Sequence, residues 1–489
     1  MSQKITIDPV TRVEGHGRVT IHLDDYGMVK DSFFHIVEFR GFERFIQGHP
    51  YWEAPVLVQR LCGICPVSHH LAAAKAIDQL VGVDPEDLTP TADKIRRLLH
   101  YAQVFQSHAL HFFYLASPDL LFGADAPKEK RNVVAVALEN KELATKGILM
   151  RKFGQEIIKA IAGKKIHGVS AIPGGVYKNL SKEERQFFLD GKNIESIAVM
   201  QAWMLEVIRF IENYHAEHRK TLDAFAAFDS GHLGMVGPGN ALELYHGPLR
   251  AIDASGNVTL HNVATDDYLR YFSEAVEPWS YMKFPYLKDL GREKGWNRVG
   301  PLARVNVCDH ISTPLAEAER QKYFAFYGQA VNNSTMYSHW ARLIEMLHCA
   351  ELMQQLLEDD DLSGDELVVQ KEKRLTGIGI IEAPRGTLTH HYDVDEKGSI
   401  VRCNLIVSTT HNNEPMNRAV RWVANEMISQ KGTISDGMLN HVEMAIRAYD
   451  PCLSCATHAL GQMPLQVEVY NAQEECIQVL KREGRGEGS

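Results

Sequence analysis

Residues 60–80 read RLCGICPVSHHLAAAKAIDQL, a Cys-x-x-Cys pair running into an Ala- and Leu-rich stretch with helical periodicity. On a helix, positions three apart share one face, so Cys62 and Cys65 would aim two sulfurs at one point, with His69 a turn further along the same stripe. A second pair stands at the far end of the chain, in DPCLSCATHA at 450–459. It comprises Cys452 and Cys455, preceded by Pro451, which limits local backbone freedom, and followed by His458. The two pairs supply four thiolates, a soft donor set suited to zinc, iron–sulfur clusters or another thiophilic metal such as nickel. Structural zinc ribbons close short loops, whereas most of this chain lies between the pairs. Spacing alone leaves a structural zinc or iron–sulfur site and a catalytic metal centre equally open. A thioredoxin-like redox pair belongs near a βαβ unit, and neither pair has one nearby. Cys308, Cys349, Cys403 and Cys476 are solitary.

Working outward, residues 4–38 alternate like strands around the turn Asp24-Asp25-Tyr26-Gly27. Helical patterns cover about 54–80, 91–115, 133–161, 194–225 and 314–358, and Ser181 with Glu184 forms a capping-box signature. Residues 228–310 are Gly-, Pro- and aromatic-rich and read as irregular with short strands. Strand character returns over 376–408, with turns at Arg385-Gly386 and Lys397-Gly398, followed by two helices within 415–449. The chain closes on the strand-like PLQVEVYN and a polar tail, EGRGEGS. This order predicts an α-dominated α+β fold: a bundle of long helices with small β elements near both ends. No fixed-period repeat or low-complexity linker divides it, so the chain reads as one interlocked unit.

Composition narrows the function. Of 489 residues, 45% are hydrophobic and 23% charged, as in soluble globular proteins, and no apolar run is long enough to span a bilayer. A net charge of -10 gives no field for collecting phosphates, which argues against nucleic-acid binding. The N-terminal MSQKITIDPV has no signal-peptide pattern, so no export signal is expected on this chain, though a partner could carry one for both. Eight cysteines are too few for a disulfide scaffold.

The flanks of the cysteine pairs, RLCGICPVSH and DPCLSCATHALG, resemble the first and last signatures of the large, catalytic subunit of nickel–iron hydrogenases. The resemblance continues through DPVTRVEGHGRV (8–19), EFRGFERFIQG (38–48), GIIEAPRGTLTHH (379–391) and STTHNN (408–413). The wording is closest to the cytoplasmic, bidirectional, NAD-coupled group.

This resemblance implies reversible heterolytic cleavage of H2 to protons and electrons. Cys62 and Cys452 would be terminal nickel ligands, while Cys65 and Cys455 would also bridge to an iron carrying carbon monoxide and cyanide. Glu14 matches the first proton-relay carboxylate, a role that calls for a pKa raised by burial; pairing with Arg12 is its alternative. Arg385 matches the guanidinium over the open metal position, Thr409 a hydroxyl donor to cyanide, and His69 a donor to a bridging sulfur. Glu43, the Leu405 carbonyl and His458 match ligands of a second divalent metal, magnesium, against a Glu43 paired with Arg40 or Arg44. Ser107 departs from the family, which commonly has an acidic residue there, leaving Asp450 as the carboxylate near Arg385.

In this family a maturation endopeptidase cuts after the histidine that His458 matches, so 1–458 would be the mature unit and 459–489 an extension. The chain has neither an iron–sulfur spacing nor a dinucleotide fingerprint. Electrons would therefore need an Fe–S small subunit, joined by flavin- and NAD(P)-binding diaphorase subunits. An apolar interface would surround the first cysteine pair. The competing readings are an H2-sensing regulatory subunit, or a structural zinc or electron-transfer subunit without H2 chemistry.

Overall fold

The structure, a computed structural model, describes residues 4–457 apart from 193 and 432, together with 465–470 and 476–482. Its first element is an antiparallel three-stranded sheet, Lys4–Ile7, Gly17–Leu23 and Val29–Ile36, in chain order. Asp24 makes the second turn by accepting the N–H groups of Tyr26 and Met28 on its carboxylate. The inward residues Val19, Ile21, Phe34 and Ile36 pack with Met416, Val420, Val423 and Val442 from the helices Asn413–Ile428 and Asp436–Ala448. Full burial of each such side chain contributes about 1.5–3 kcal/mol. The two ends of the chain are thereby joined in one apolar cluster.

Long helices fill the middle: Pro90–Leu110, Lys141–Ala162, Ile197–Ala224 and Ser338–Glu358. Leu98, Phe105, Phe153, Ile157, Met204, Ile208, Trp340 and Leu347 share their core. The helix Lys182–Asp190 begins with the expected box, Ser181 and Glu184 satisfying each other's backbone N–H. Against this bundle lies a second antiparallel meander, Thr376–Ala383, Gly386–Val394 and Ile400–Ile406. The fold is α+β with helices dominant.

Local expectations need correction in several places. Cys62 and Cys65 do not lie within a helix: Cys62 is extended, and Cys65 is the N-cap of Pro66–Leu80. The 91–115 helix ends at Leu110 and continues as a π-helical turn, His111–Ala116. The 133–161 stretch breaks at Asn140, and 314–358 is two helices, Pro314–Tyr327 and Ser338–Glu358. The 228–310 region has the expected short strands, four of them joined in one sheet, and adds the helix Pro301–Val307. Finally, Leu465–Tyr470 pairs with a second strand, Cys476–Arg482.

Two glycines set how closely the second meander approaches the first cysteine pair. A Cβ on Gly377 or Gly379 would stand 2.0 Å from the backbone oxygen of Ala76 or Ala72, so the strand rests directly on the Pro66–Leu80 helix. Gly379→Ala is expected to cost about 1–3 kcal/mol, the usual penalty for overpacking, measured as a lower thermal unfolding midpoint.

Candidate metal centre

The turn Val58–Leu61 delivers Cys62, and the N–H groups of Ile64 and Cys65 both donate to its sulfur at 3.2 Å. Pro66 then starts the helix that Cys65 caps. At the other end of the chain, Asp450 has a φ of 54° and turns the backbone out of the Asp436–Ala448 helix into Cys452 and Cys455. The four sulfurs lie within 4.8 Å of one another and all four cysteines are buried. Sγ separations are 3.2 Å for Cys62–Cys452, 3.7 Å for Cys65–Cys455 and 2.8 Å for Cys452–Cys455. None is a disulfide.

Burial opposes ionisation of Cys62, but hydrogen bonds from Cys452, Cys455 and Cys65 and the charge of Arg385 outweigh it and hold that thiol well below its usual range. Burial pushes Cys452 and Cys455 well above theirs. A soft cation at the centre would reverse that penalty and let the set ionise together. The donor set therefore fits a thiophilic metal.

A cavity of about 10 Å³ adjoins the sulfurs, walled by Cys65, Cys455, Pro384, Arg385, Leu388 and Thr409, among others. Arg385 sits at the tip of the hairpin between Thr376–Ala383 and Gly386–Val394. Its Nη1 donates to Ser107 Oγ at 3.3 Å and its Nη2 to Asp450 Oδ1 at 3.1 Å, while its buried Nε has no protein partner among the described residues. Burial raises the Asp450 carboxyl against the pull of Arg385 and Arg342. Thr409 lies in the short helix Ser408–His411, not in the strand expected there; its hydroxyl oxygen accepts the Cys452 N–H at 3.0 Å. The hydroxyl hydrogen is left for another acceptor. Polar donors beside a small, otherwise apolar cavity suit compact anionic ligands, whose burial unpaired would be costly.

Glu14 reaches the sulfurs from the N-terminal sheet. Cys452 Sγ donates to its Oε2 at 3.0 Å, as does the Ser454 N–H at 3.1 Å, and the Leu453 N–H donates to the Glu14 carbonyl at 3.0 Å. Such contact demands glycine next door: a Cβ on Gly15, whose φ is 82°, would meet the Ser454 nitrogen at 2.8 Å. Glu14 is half-buried rather than enclosed. Arg12 is not its partner; that guanidinium donates to Asp119 at 2.5 Å and to the Leu115 carbonyl at 2.7 Å.

His69 lines the cavity wall, and its Nδ1 lies 3.1 Å from His390 Nε2; His390 Nδ1 in turn meets Tyr392 Oη at 2.7 Å. Glu43 is buried and accepts the Leu405 N–H at 2.8 Å. Arg40 bonds the Leu61 and Arg60 carbonyls and Arg44 bonds Gln47, so neither supplies the alternative ion pair. The Arg40 N–H also donates to the Thr457 carbonyl, bringing the chain end toward the Glu43 segment. His458 lies outside the described residues.

Two supporting networks have no counterpart in the sequence reading. Asp119 accepts from Arg12, Arg447 and Asn440, locking the Glu14 loop to the last helix. Behind Arg385, the buried Arg304 bonds Glu345 and Glu382 and also the Ala383 and Pro384 carbonyls, fixing the backbone that carries Arg385. His108 joins it through Glu345 at 2.8 Å.

Four buried thiols closing on a small apolar cavity edged by polar donors, within this fold, define a metalloenzyme component. The chain belongs to the nickel-dependent hydrogenase family, whose profile matches residues 40–141 and 245–458, while residues 4–39 match a HoxL-like profile. It is 51% identical to the NAD-reducing hydrogenase HoxS subunit beta of Cupriavidus necator, over 98% of this chain and 99% of that protein. It is 41% identical to one chain of the F420-non-reducing hydrogenase of Methanothermobacter thermautotrophicus, over 97% of this chain and 99% of that one. A solved NAD+-reducing NiFe hydrogenase in its H2-reduced state matches with a TM-score of 0.90 and 54% identity, covering 93% of this chain and 99% of that one. The NiFeSe hydrogenase of Dm. baculatum, at 22% identity and a TM-score of 0.73, shares the fold.

Proposed function

We propose that this chain cleaves H2 reversibly into protons and electrons at a nickel–iron centre held by Cys62, Cys65, Cys452 and Cys455. The observation that carries this reading is the convergence of two sequence-distant thiol pairs in a nickel-dependent hydrogenase. When bound, the metal pair supplies a Lewis-acid and redox centre. Arg385 places a fixed positive charge at the cavity, held by Ser107 and Asp450. Its Nε and the Thr409 hydroxyl would supply hydrogen bonds for the cyanide ligands of iron. Glu14 takes a proton from the Cys452 sulfur and, being half-buried, returns it toward solvent. His69, oriented by His390, would donate toward the sulfurs of Cys65 and Cys455. Glu43, the Leu405 carbonyl and His458 would hold magnesium.

Electrons leave through an Fe–S small subunit to flavin- and NAD(P)-binding diaphorase partners. Among the described residues the paired cysteines form the only group of three or more His, Cys, Asp or Glu side chains placed to hold a metal, and burial pushes the Cys308, Cys349 and Cys403 thiols up. Gly63 is exposed between the first two cysteines, and Phe39, Phe45, Trp52 and Val56 are exposed on the segment leading to them, a face suited to the small subunit. Residues 1–458 form the mature catalytic unit, and an endopeptidase removes 459–489; the family match ends at 458. No helix among the described residues is long and apolar enough to cross a membrane, in keeping with a cytoplasmic location.

The purified complex is expected to contain nickel and iron, to show infrared bands of carbon monoxide and cyanide, and to reduce NAD+ with H2. Zinc alone would overturn the reading. Cys452→Ser should lose nickel and H2 oxidation together, because a hydroxyl neither ionises at neutral pH nor offers a soft donor.

A further inference from the structure

A second buried cavity, of about 10 Å³, lies behind Tyr449 between the start of the Ser338–Glu358 helix and the start of Pro301–Val307. Its polar walls are Arg298, Arg342 and Ser338; the rest, including Val299, Leu302 and Tyr449, is largely apolar, and no carboxylate lines it. Both arginines are only 1% exposed. Arg298 gives one donor to the Asn333 carbonyl at 2.8 Å and lays its plane 4.2 Å from the Phe228 ring. Its Nε and Nη2 have no partner among the described residues. Arg342 bonds the Ala448 carbonyl at 2.9 Å and the Ser338 carbonyl at 3.3 Å, and its Nε is likewise without a partner among them.

The surrounding charges sharpen the anomaly. Asp450 and Glu345, the acids that act on Arg342, are engaged by Arg385 and Arg304. Burial lowers the Arg298 pKa, and the groups opposing that shift are the phenols of Tyr449, Tyr327 and Tyr323 rather than a carboxylate. Buried guanidiniums with unmet donors and no carboxylate bonded to them are costly. The helix Ser338–Glu358 begins at this cavity, adding the positive end of its dipole.

We propose that this cavity binds one small monovalent inorganic anion, chloride in ordinary salt, between Arg298 and Arg342. The cavity has room for one small monatomic particle, which argues against sulfate and phosphate. Water would satisfy two donors but bring no charge to offset that of Arg298. Ala448 and Tyr449 lead directly into Asp450 and Cys452, so the anion fastens the segment that carries the second cysteine pair to the helical core.

The test uses the intact complex crystallised in bromide, with data collected at the bromine absorption edge. An anomalous peak in this cavity is expected; ordered water there without anomalous signal would overturn the proposal. In parallel, the unfolding temperature is compared in chloride and in gluconate at equal ionic strength. Chloride should raise it for the unsubstituted protein but not for Arg298→Met, whose methionine removes the charge and the donors. Equal unfolding temperatures in the two salts for the unsubstituted protein would also overturn the proposal. Because the anomalous measurement needs no variant, it decides the matter even if Arg298→Met does not fold.

Discussion

Glu14→Gln is expected to lower H2 oxidation by about 100-fold or more while nickel and iron content stay unchanged. General acid–base groups contribute on the order of 100- to 10,000-fold. The geometry isolates that contribution at Glu14. Its Oε2 receives the Cys452 thiol and the Ser454 N–H, and glutamine keeps an oxygen able to accept both bonds. The backbone contact from Leu453 to the Glu14 carbonyl is untouched by the substitution. What glutamine cannot do is accept and release a proton at neutral pH. Glu14→Asp, a shorter acid, should recover part of the rate, which a purely structural role would not predict. A glutamine variant oxidising H2 at the unsubstituted rate, with full nickel, would remove Glu14 from the proton route.

How much of this is legible in the chain depends on the range of the interaction concerned. The long helices declare themselves through periodicity, and the two cysteine pairs through local motifs, so both are readable. A helical reading of Cys62 and Cys65 passes over a signal that is present in the sequence. Pro66 fits the first position of a helix, where its missing N–H costs nothing, and that makes Cys65 a cap instead of a helical residue. Thr409 reads as strand because STT extends the β-branched run of the preceding segment, yet hydrogen bonding turns the backbone into a helix after Ile406. Arg304 and Glu345 carry no signal. A single charge outside any motif looks like a solvated face, and only the tertiary fold brings these two together with Glu382 at full burial. The same holds for Asp119 and Arg447, which lie far apart in sequence and pair at 2.7 Å.

Arg385→Lys is the second large effect, expected to reduce H2 oxidation on the order of 100- to 1,000-fold, as when a preorganised donor is removed from an active site. Lysine keeps the charge, so the comparison measures geometry. The guanidinium divides its donors among Ser107, Asp450 and the cavity from a rigid plane, whereas an ammonium on a flexible stem cannot hold all three directions at once. With serine at position 107, Asp450 is the only carboxylate bonded to Arg385 among the described residues, so the arginine's orientation rests on a single ion pair. Metal content should persist in Arg385→Lys, because all four thiols remain, while the infrared bands of the iron ligands should shift as their donor moves. Arg385→Met should fare worse in stability as well. It strands Asp450 in a site where breaking a buried pair costs about 3–5 kcal/mol, with only the distant help of Arg342. A lysine variant with unshifted bands and an unchanged rate would show that charge alone suffices, and that the bonds to Ser107 and Asp450 serve packing instead.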